Sequence, residues 1–189
     1  MAGWSYRVGM SDPAKPPLSA LRPAVFLDRD GTLIRDTGYL DNVAGVQLLP
    51  GVGAALAALA RAGFVLVVVT NQSGIGRGLI RTEVVEQQHD RLRELLRPAG
   101  VDLAAVEYCP HAPDTGCDCR KPLPGMLLRA ACRLGIDLAA SFMVGDKPAD
   151  VGAGHAAGCR TVFIGEGCAE ADFNAPDVPA AVAWILAWR

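Results

Sequence analysis

The stretch AVFLDRDGTLI, residues 24–34, carries four apolar residues into an Asp–Arg–Asp cluster and then into Gly–Thr. A β-strand sends residues i and i+2 to the same side, so Asp28 and Asp30 would crowd unless positive charge sits between them. Gly31 and Thr32 read as a turn whose backbone amides can face an anion. Four more short apolar runs follow: FVLVVVT (64–70), AVEYC (105–109), FMVGD (142–146) and TVFIG (161–165). Most are apolar throughout, as in strands buried on both faces. Helices are predicted over 51–62, 82–97, 124–134 and 148–157, with a last one near 178–188. Pro50 and Gly51 open the first helix, Gly63 closes it, and Thr82 with Glu83 begins the second.

This alternation predicts an α/β fold, a three-layer Rossmann-like parallel sheet with helices on both faces. Ligands in such sheets gather at the carboxyl ends of the strands, near a topological switch point. Asp28, Thr70 and Asp146 each end a predicted strand, so they should line one rim.

The chain of 189 residues suits a single domain with a sizeable core. Residues 1–22 mix Pro, Gly and charge and read as a flexible extension, leaving 23–189 as the domain. They lack the apolar core of a cleaved signal peptide, and no run is long enough to span a bilayer. Half the residues are hydrophobic and the net charge is only −2, which excludes broad nucleic-acid or membrane binding. The expected partner is a small molecule. The chain is expected to act as a monomer, with a dimer contact through 166–189 left open. Of six cysteines, Cys109, Cys117 and Cys119 fall within eleven residues. Such clustering without an export signal favours metal over disulfides and places the protein in the cytosol.

Four pieces should therefore meet at the rim: Asp28-Arg29-Asp30-Gly31-Thr32, Thr70-Asn71-Gln72-Ser73, Arg120-Lys121-Pro122, and Gly145-Asp146-Lys147 with Asp150 beyond. Phosphate-ester hydrolysis spreads charge over the phosphoryl oxygens, so catalysis is largely positioning and charge stabilisation. Asp28 suits a nucleophile that forms an aspartyl-phosphate. Its approach to phosphate calls for a cation, and Mg²⁺ prefers carboxylate, water and phosphate oxygens, here from Asp28 and Asp146. Thr70 and Lys121 would hold the phosphoryl oxygens, assisted by the amides around Asp30, Gly31 and Asn71. Asp150 reads equally as a cap of the following helix.

The set and its order resemble the haloacid dehalogenase-like phosphatases over residues 23–165. By that resemblance Asp30 gives its backbone carbonyl to Mg²⁺, while its side chain serves as acid and then base. No large cap domain fits between the predicted elements, so specificity falls to loops. Asp36, Thr37, Gly38 and Tyr39, then Asn71, Gln72 and Ser73, then Arg120 and Lys147 are the expected substrate contacts. Arg77 reads equally as an anion contact or a solvated charge.

Residues 109–119, CPHAPDTGCDC, offer Cys109, His111, Cys117 and Cys119, a donor set for a closed tetrahedral structural Zn²⁺ site. Cys132 and Cys159 read as small core residues, and His89 and His155 as surface or packing residues. The cysteine loop running straight into Arg-Lys-Pro resembles the D-glycero-D-manno-heptose-1,7-bisphosphate 7-phosphatases and the related histidinol-phosphatases. NQSGIGRG (71–78) and DTGYLDNV (36–43) are closer to the heptose enzymes. A phospho-accepting receiver module also uses acids, Mg²⁺, a Thr and a Lys on a parallel sheet. It has no use for a second Asp two residues beyond the first, or for a zinc loop.

Overall fold

A computed structural model describes residues 21–188. Its strands are β1 (Ala24–Leu27), β2 (Val65–Asn71), β3 (Ala105–Cys109), β4 (Phe142–Gly145), β5 (Arg160–Ile164) and β6 (Phe173–Ala175). The helices are α1 (Val52–Arg61), α2 (Ser73–Gly76), α3 (Thr82–Leu96), α4 (Gly125–Leu134), α5 (Pro148–Ala157) and α6 (Val178–Ala187). All neighbouring strands pair in parallel, in the order β3-β2-β1-β4-β5-β6. The chain winds outward from β1 to β3, then crosses to β4 and winds the other way. The switch point therefore lies between β1 and β4, the strands that Asp28 and Asp146 follow.

Period-2 geometry divides the core cleanly. Val25 and Leu27 face one layer with Leu56 and Leu59 of α1, Leu92 and Leu96 of α3, and Val182 and Ile185 of α6. Ala24 and Phe26 face the other, against Met126 and Leu127 of α4 and Ala153 and Ala157 of α5. Each such large side chain, fully buried, contributes about 1.5–3 kcal/mol. Both faces of β1 are thus covered, which fixes the height at which Asp28 leaves the sheet. The predicted three-layer architecture holds, and no cap interrupts the connections.

The structure adds two elements and corrects two expectations. β6 is only three residues long, too short to show a period, and α2 is a single turn after Gln72. Arg22 donates its amide to Gly135 O at 3.0 Å and pairs with Ile136, so the ordered body starts before residue 23. Residues 1–20 of the expected extension lie outside the described residues. Cys132 is exposed on α4, whereas Cys159 is buried as expected.

The apolar stripe of α3 (Val85, Leu92, Leu96) includes two polar residues, Gln88 and His89, both buried. His89 packs its ring against Tyr108 at 5.4 Å, and its Nε2 has no hydrogen-bond partner. Burial, helped by the charges of Arg29 and Arg93, pushes its pKa down to about 3. The folded protein thus holds a neutral imidazole that the unfolded chain protonates below about pH 6.5. Its contribution is present above that pH and is lost as the pH falls towards 3. Going from about pH 6.5 to about pH 5 should cost the wild-type fold ~2 kcal/mol more than a His89→Gln variant. Urea unfolding across that range measures the difference; equal pH slopes would contradict it.

Candidate active site

Asp28 sits where β1 ends, and its amide donates to Val144 O at 2.9 Å, locking the end of β1 to β4. Its carboxylate accepts from Lys121 Nζ at 2.7 Å. The same ammonium forms an ion pair with Asp150 Oδ1 at 2.6 Å and donates to Val69 O at 2.8 Å. Burial opposes the charge on Lys121, but the carboxylates of Asp28 and Asp150 outweigh it and raise the pKa. Asn71 fixes the backbone of this lysine, donating to Lys121 O and accepting from Lys121 N, both at 3.1 Å. Asp150 accepts from the Lys147 amide at 3.0 Å to cap α5. Asp150 thus caps α5, one of its two readings, and also pairs with Lys121. Burial and the charge of Asp28 push its pKa up to about 7.

Asp30 has left the sheet, and Arg29 grips it with Nε and Nη2, each at 3.0 Å from a carboxylate oxygen. Gln72 Nε2 donates to Asp30 Oδ2 at 2.9 Å and to Thr70 Oγ1 at 2.8 Å. Burial raises the pKa of Asp30 despite the opposing Arg29 charge, which favours a carboxyl that keeps a proton. The crowding expected of the two acids is thus relieved within the protein. Lys121 serves Asp28, and Arg29 serves Asp30.

Asp146 follows β4; Thr32 Oγ1 donates to it at 3.3 Å, and Lys147 Nζ pairs with it at 2.8 Å. Carboxylate oxygens of Asp28, Asp146 and Asp150 lie within 4.8 Å of one another, a hard oxygen set that fits Mg²⁺. Gly31, at φ +84°, passes so close that a Cβ there would run into the Asp146 carboxylate.

A cleft of about 370 Å³ opens over this rim. Asp28, Asp30, Thr70 and Lys121 line it, as do Asp36, Gly38, Tyr39, Asn71, Gln72, Ser73, Arg120 and Lys147. Thr37 is exposed and outside the lining, because Gly38 turns the loop at φ +78°. Two expected substrate contacts are already occupied: the side chain of Asn71 holds Lys121, and that of Gln72 holds Asp30. Lys147 also pairs with Asp36 at 3.4 Å. Arg120 differs from these, since its buried Nη1 has no hydrogen-bond partner. Arg77 lies 6.0 Å from the Tyr39 ring centroid and braces that residue.

The four predicted soft ligands converge. Cys109 Sγ lies 3.6 Å from both His111 Nδ1 and Cys117 Sγ, and His111 Nδ1 lies 3.2 Å from Cys119 Sγ. A tetrahedron with Zn–S of about 2.3 Å has edges of roughly 3.8 Å, close to these spacings. Gly125 of α4 has no room for a Cβ beside Asp118 O, so the loop packs tightly on that helix and runs directly into Arg120 and Lys121.

An Asp paired with a buried Lys, a second carboxyl favoured to keep a proton, and an acid cluster are the parts a phosphoric monoester hydrolase needs. The comparisons agree. A family model described as HAD-hydrolase-like matches residues 118–187. A D-glycero-β-D-manno-heptose-1,7-bisphosphate 7-phosphatase of Yersinia pestis is 43% identical over 178 residues, covering 85% of this chain and 95% of its own. The Escherichia coli K12 protein of the same name is 46% identical over 149 residues, 75% of this chain and 78% of its own. The D,D-heptose 1,7-bisphosphate phosphatase of B. bronchiseptica, crystallised with magnesium and phosphate, superposes with a TM-score of 0.81. It is 34% identical and covers 88% of this chain and 99% of its own. The chain belongs to the D-glycero-D-manno-heptose-1,7-bisphosphate 7-phosphatase family of haloacid dehalogenase-like hydrolases. The receiver-module alternative falls with that finding.

Two residues of the network had no role assigned from sequence, Arg29 and Gln88. A glutamine on the apolar stripe of α3 was the available signal for the second; for the first it was the cation between two acids. Replacing Gly31 with Ala combines a left-handed backbone with a methyl group driven against Asp146. Turnover of p-nitrophenyl phosphate should fall ~100-fold or more in Gly31→Ala, with a stability loss of about 1–2 kcal/mol. A wild-type rate would show that Asp146 does not depend on this close approach.

Proposed function

We propose that the protein is a magnesium-dependent phosphatase that removes the 7-phosphate of D-glycero-D-manno-heptose 1,7-bisphosphate. The observation that carries the reading is the convergence of Asp28, Asp30, Thr70 and Lys121 on one cleft in a chain so similar to enzymes bearing that name. A carboxylate oxygen of Asp28 attacks phosphorus, the bond to the sugar oxygen breaks, and Asp30 gives that oxygen a proton. Water then attacks the aspartyl-phosphate while Asp30 takes its proton, releasing phosphate and restoring Asp28. Thr70 and Lys121 hold the phosphoryl oxygens. Mg²⁺, held by the side chains of Asp28 and Asp146 and the backbone carbonyl of Asp30, would neutralise phosphoryl charge. Asp36, Gly38 and Tyr39 offer the sugar a polar, partly aromatic wall, and Arg120 offers the second phosphate a planar donor. Cys109, His111, Cys117 and Cys119 would hold a structural Zn²⁺ that fixes the loop carrying Arg120. We place the enzyme in the cytosol, where reducing conditions keep its cysteines available as ligands.

With Mg²⁺ the protein should release phosphate over many turnovers from the heptose bisphosphate and leave the 1-phosphate in place. EDTA and Asp28→Asn should abolish this, and histidinol phosphate should be the poorer substrate by about tenfold or more in kcat/KM. Phosphate-release assays on the two substrates decide; preference for histidinol phosphate would overturn the sugar assignment.

A Cys117→Ala variant should lose its zinc by elemental analysis and raise KM for the bisphosphate several-fold, because the loop carrying Arg120 loosens. Normal kinetics in a zinc-free variant would limit the loop to a role in stability.

A further inference from the structure

Gln88 lies in α3, outside every element of the proposed reaction, yet it is completely buried on the apolar stripe. Its Oε1 accepts from Arg29 Nη1 at 3.1 Å. Its Nε2 donates to Leu40 O at 2.8 Å and to Asn42 O at 3.3 Å. Arg29, itself buried, uses its remaining nitrogens to hold both oxygens of Asp30. One amide side chain therefore joins the carboxyl that protonates the leaving group to the loop that carries Asp36, Gly38 and Tyr39 into the cleft.

An isolated buried glutamine on a helix face is costly unless each polar atom is satisfied. Here the three bonds come from a residue 46 to 59 positions away in sequence and connect two parts of the site. Arg29 alone would still pair with Asp30, but its guanidinium would lack the acceptor that sets its position. The loop would keep its Asx-type turn, in which Gly38 N donates to Asp36 at 2.8 Å, and lose its anchor to α3.

We infer that Gln88 is a positioning residue: through Arg29 it places the Asp30 carboxyl, and through Leu40 and Asn42 it ties that placement to the substrate loop. The inference rests on the proposed reading, in which Asp30 is the acid and residues 36–39 meet the sugar.

The test compares two leaving groups. A sugar alkoxide needs a proton as it departs, whereas p-nitrophenolate leaves readily without one. Gln88→Met keeps the length of the side chain and removes both functions. It should lower kcat/KM for the heptose bisphosphate about tenfold or more while changing that for p-nitrophenyl phosphate less than about threefold. Gln88→Glu retains an acceptor for Arg29 and loses the donor to the loop. It should return kcat on the sugar phosphate towards wild type and leave KM raised, and it keeps the proposal testable if Gln88→Met folds poorly. Equal losses on both esters, wild-type kinetics on both, or a Gln88→Glu enzyme with unchanged KM would overturn the inference. Asp30→Asn separates the two levels. If that variant still cleaves the sugar phosphate, the reading of Asp30 fails. If it is inactive while Gln88→Met matches wild type, only the positioning role fails.

Discussion

One buried ammonium organises the catalytic rim. Lys121 Nζ stands between Asp28 and Asp150 and donates to Val69 O, so it joins the ends of β1 and β2 to the start of α5. Asp150 is fully buried and Asp28 nearly so, and neither would tolerate a neutral neighbour. Removing one partner from such a cluster strands charge in low dielectric and costs about 3–5 kcal/mol. Asn71 makes the arrangement rigid by holding the Lys121 backbone from β2. The nucleophile is therefore oriented by the same contacts that hold the sheet edge, the cysteine loop and α5 together.

Asp30 follows a parallel logic with a different cation. Arg29 binds it through two parallel donors, and Gln72 adds a third from the turn after β2. The two acids of the Asp-x-Asp pair thus occupy different environments. Asp28, the more buried of the two, is bound to a lysine whose charge is shared with Asp150, and Asp30 is held by Arg29 and Gln72 with its pKa raised by burial. In the proposed reading these two environments suit one carboxyl to nucleophilic attack and the other to proton transfer. A dipeptide step in sequence becomes a division of labour because the chain turns out of the sheet at Gly31, the position with no space for a Cβ.

Much of this was legible in the sequence because its signals are local. Continuous apolar runs marked β1, β2 and β4, and the acids at their ends followed from the rule that ligands lie at the carboxyl edge. The cysteine loop declared its ligands by residue type and spacing. What stayed hidden depends on distant pairing. The apolar stripe of α3 turns Gln88 inward and leaves Gln87 exposed, but the partner of Gln88, Arg29, lies 59 residues away and is met only when the helix docks on the sheet. Asn71 and Gln72 read as substrate contacts because they follow Thr70, yet their amides fit the backbone of Lys121 and the carboxylate of Asp30. β6 escaped notice because three edge residues carry no period.

The distribution of cations bears on substrate choice in a site without a cap. Lys121, Arg29 and Lys147 are each paired with carboxylates, so their charge is balanced within the protein. A ligand carrying one phosphate would meet those groups and the metal alone. Arg120 is different in kind: it enters the cleft from the cysteine loop with Nη1 buried and without a partner. A buried guanidinium nitrogen lacking an acceptor is costly, and an anion whose oxygens reach it supplies what it lacks. In the proposed reading that anion is the second phosphate of the bisphosphate. A substrate with an amine or imidazole at that place would leave the nitrogen unsatisfied and add like charge beside it. In that reading specificity rests on Arg120, carried into a small open cleft by the loop that brings Cys109, His111, Cys117 and Cys119 together.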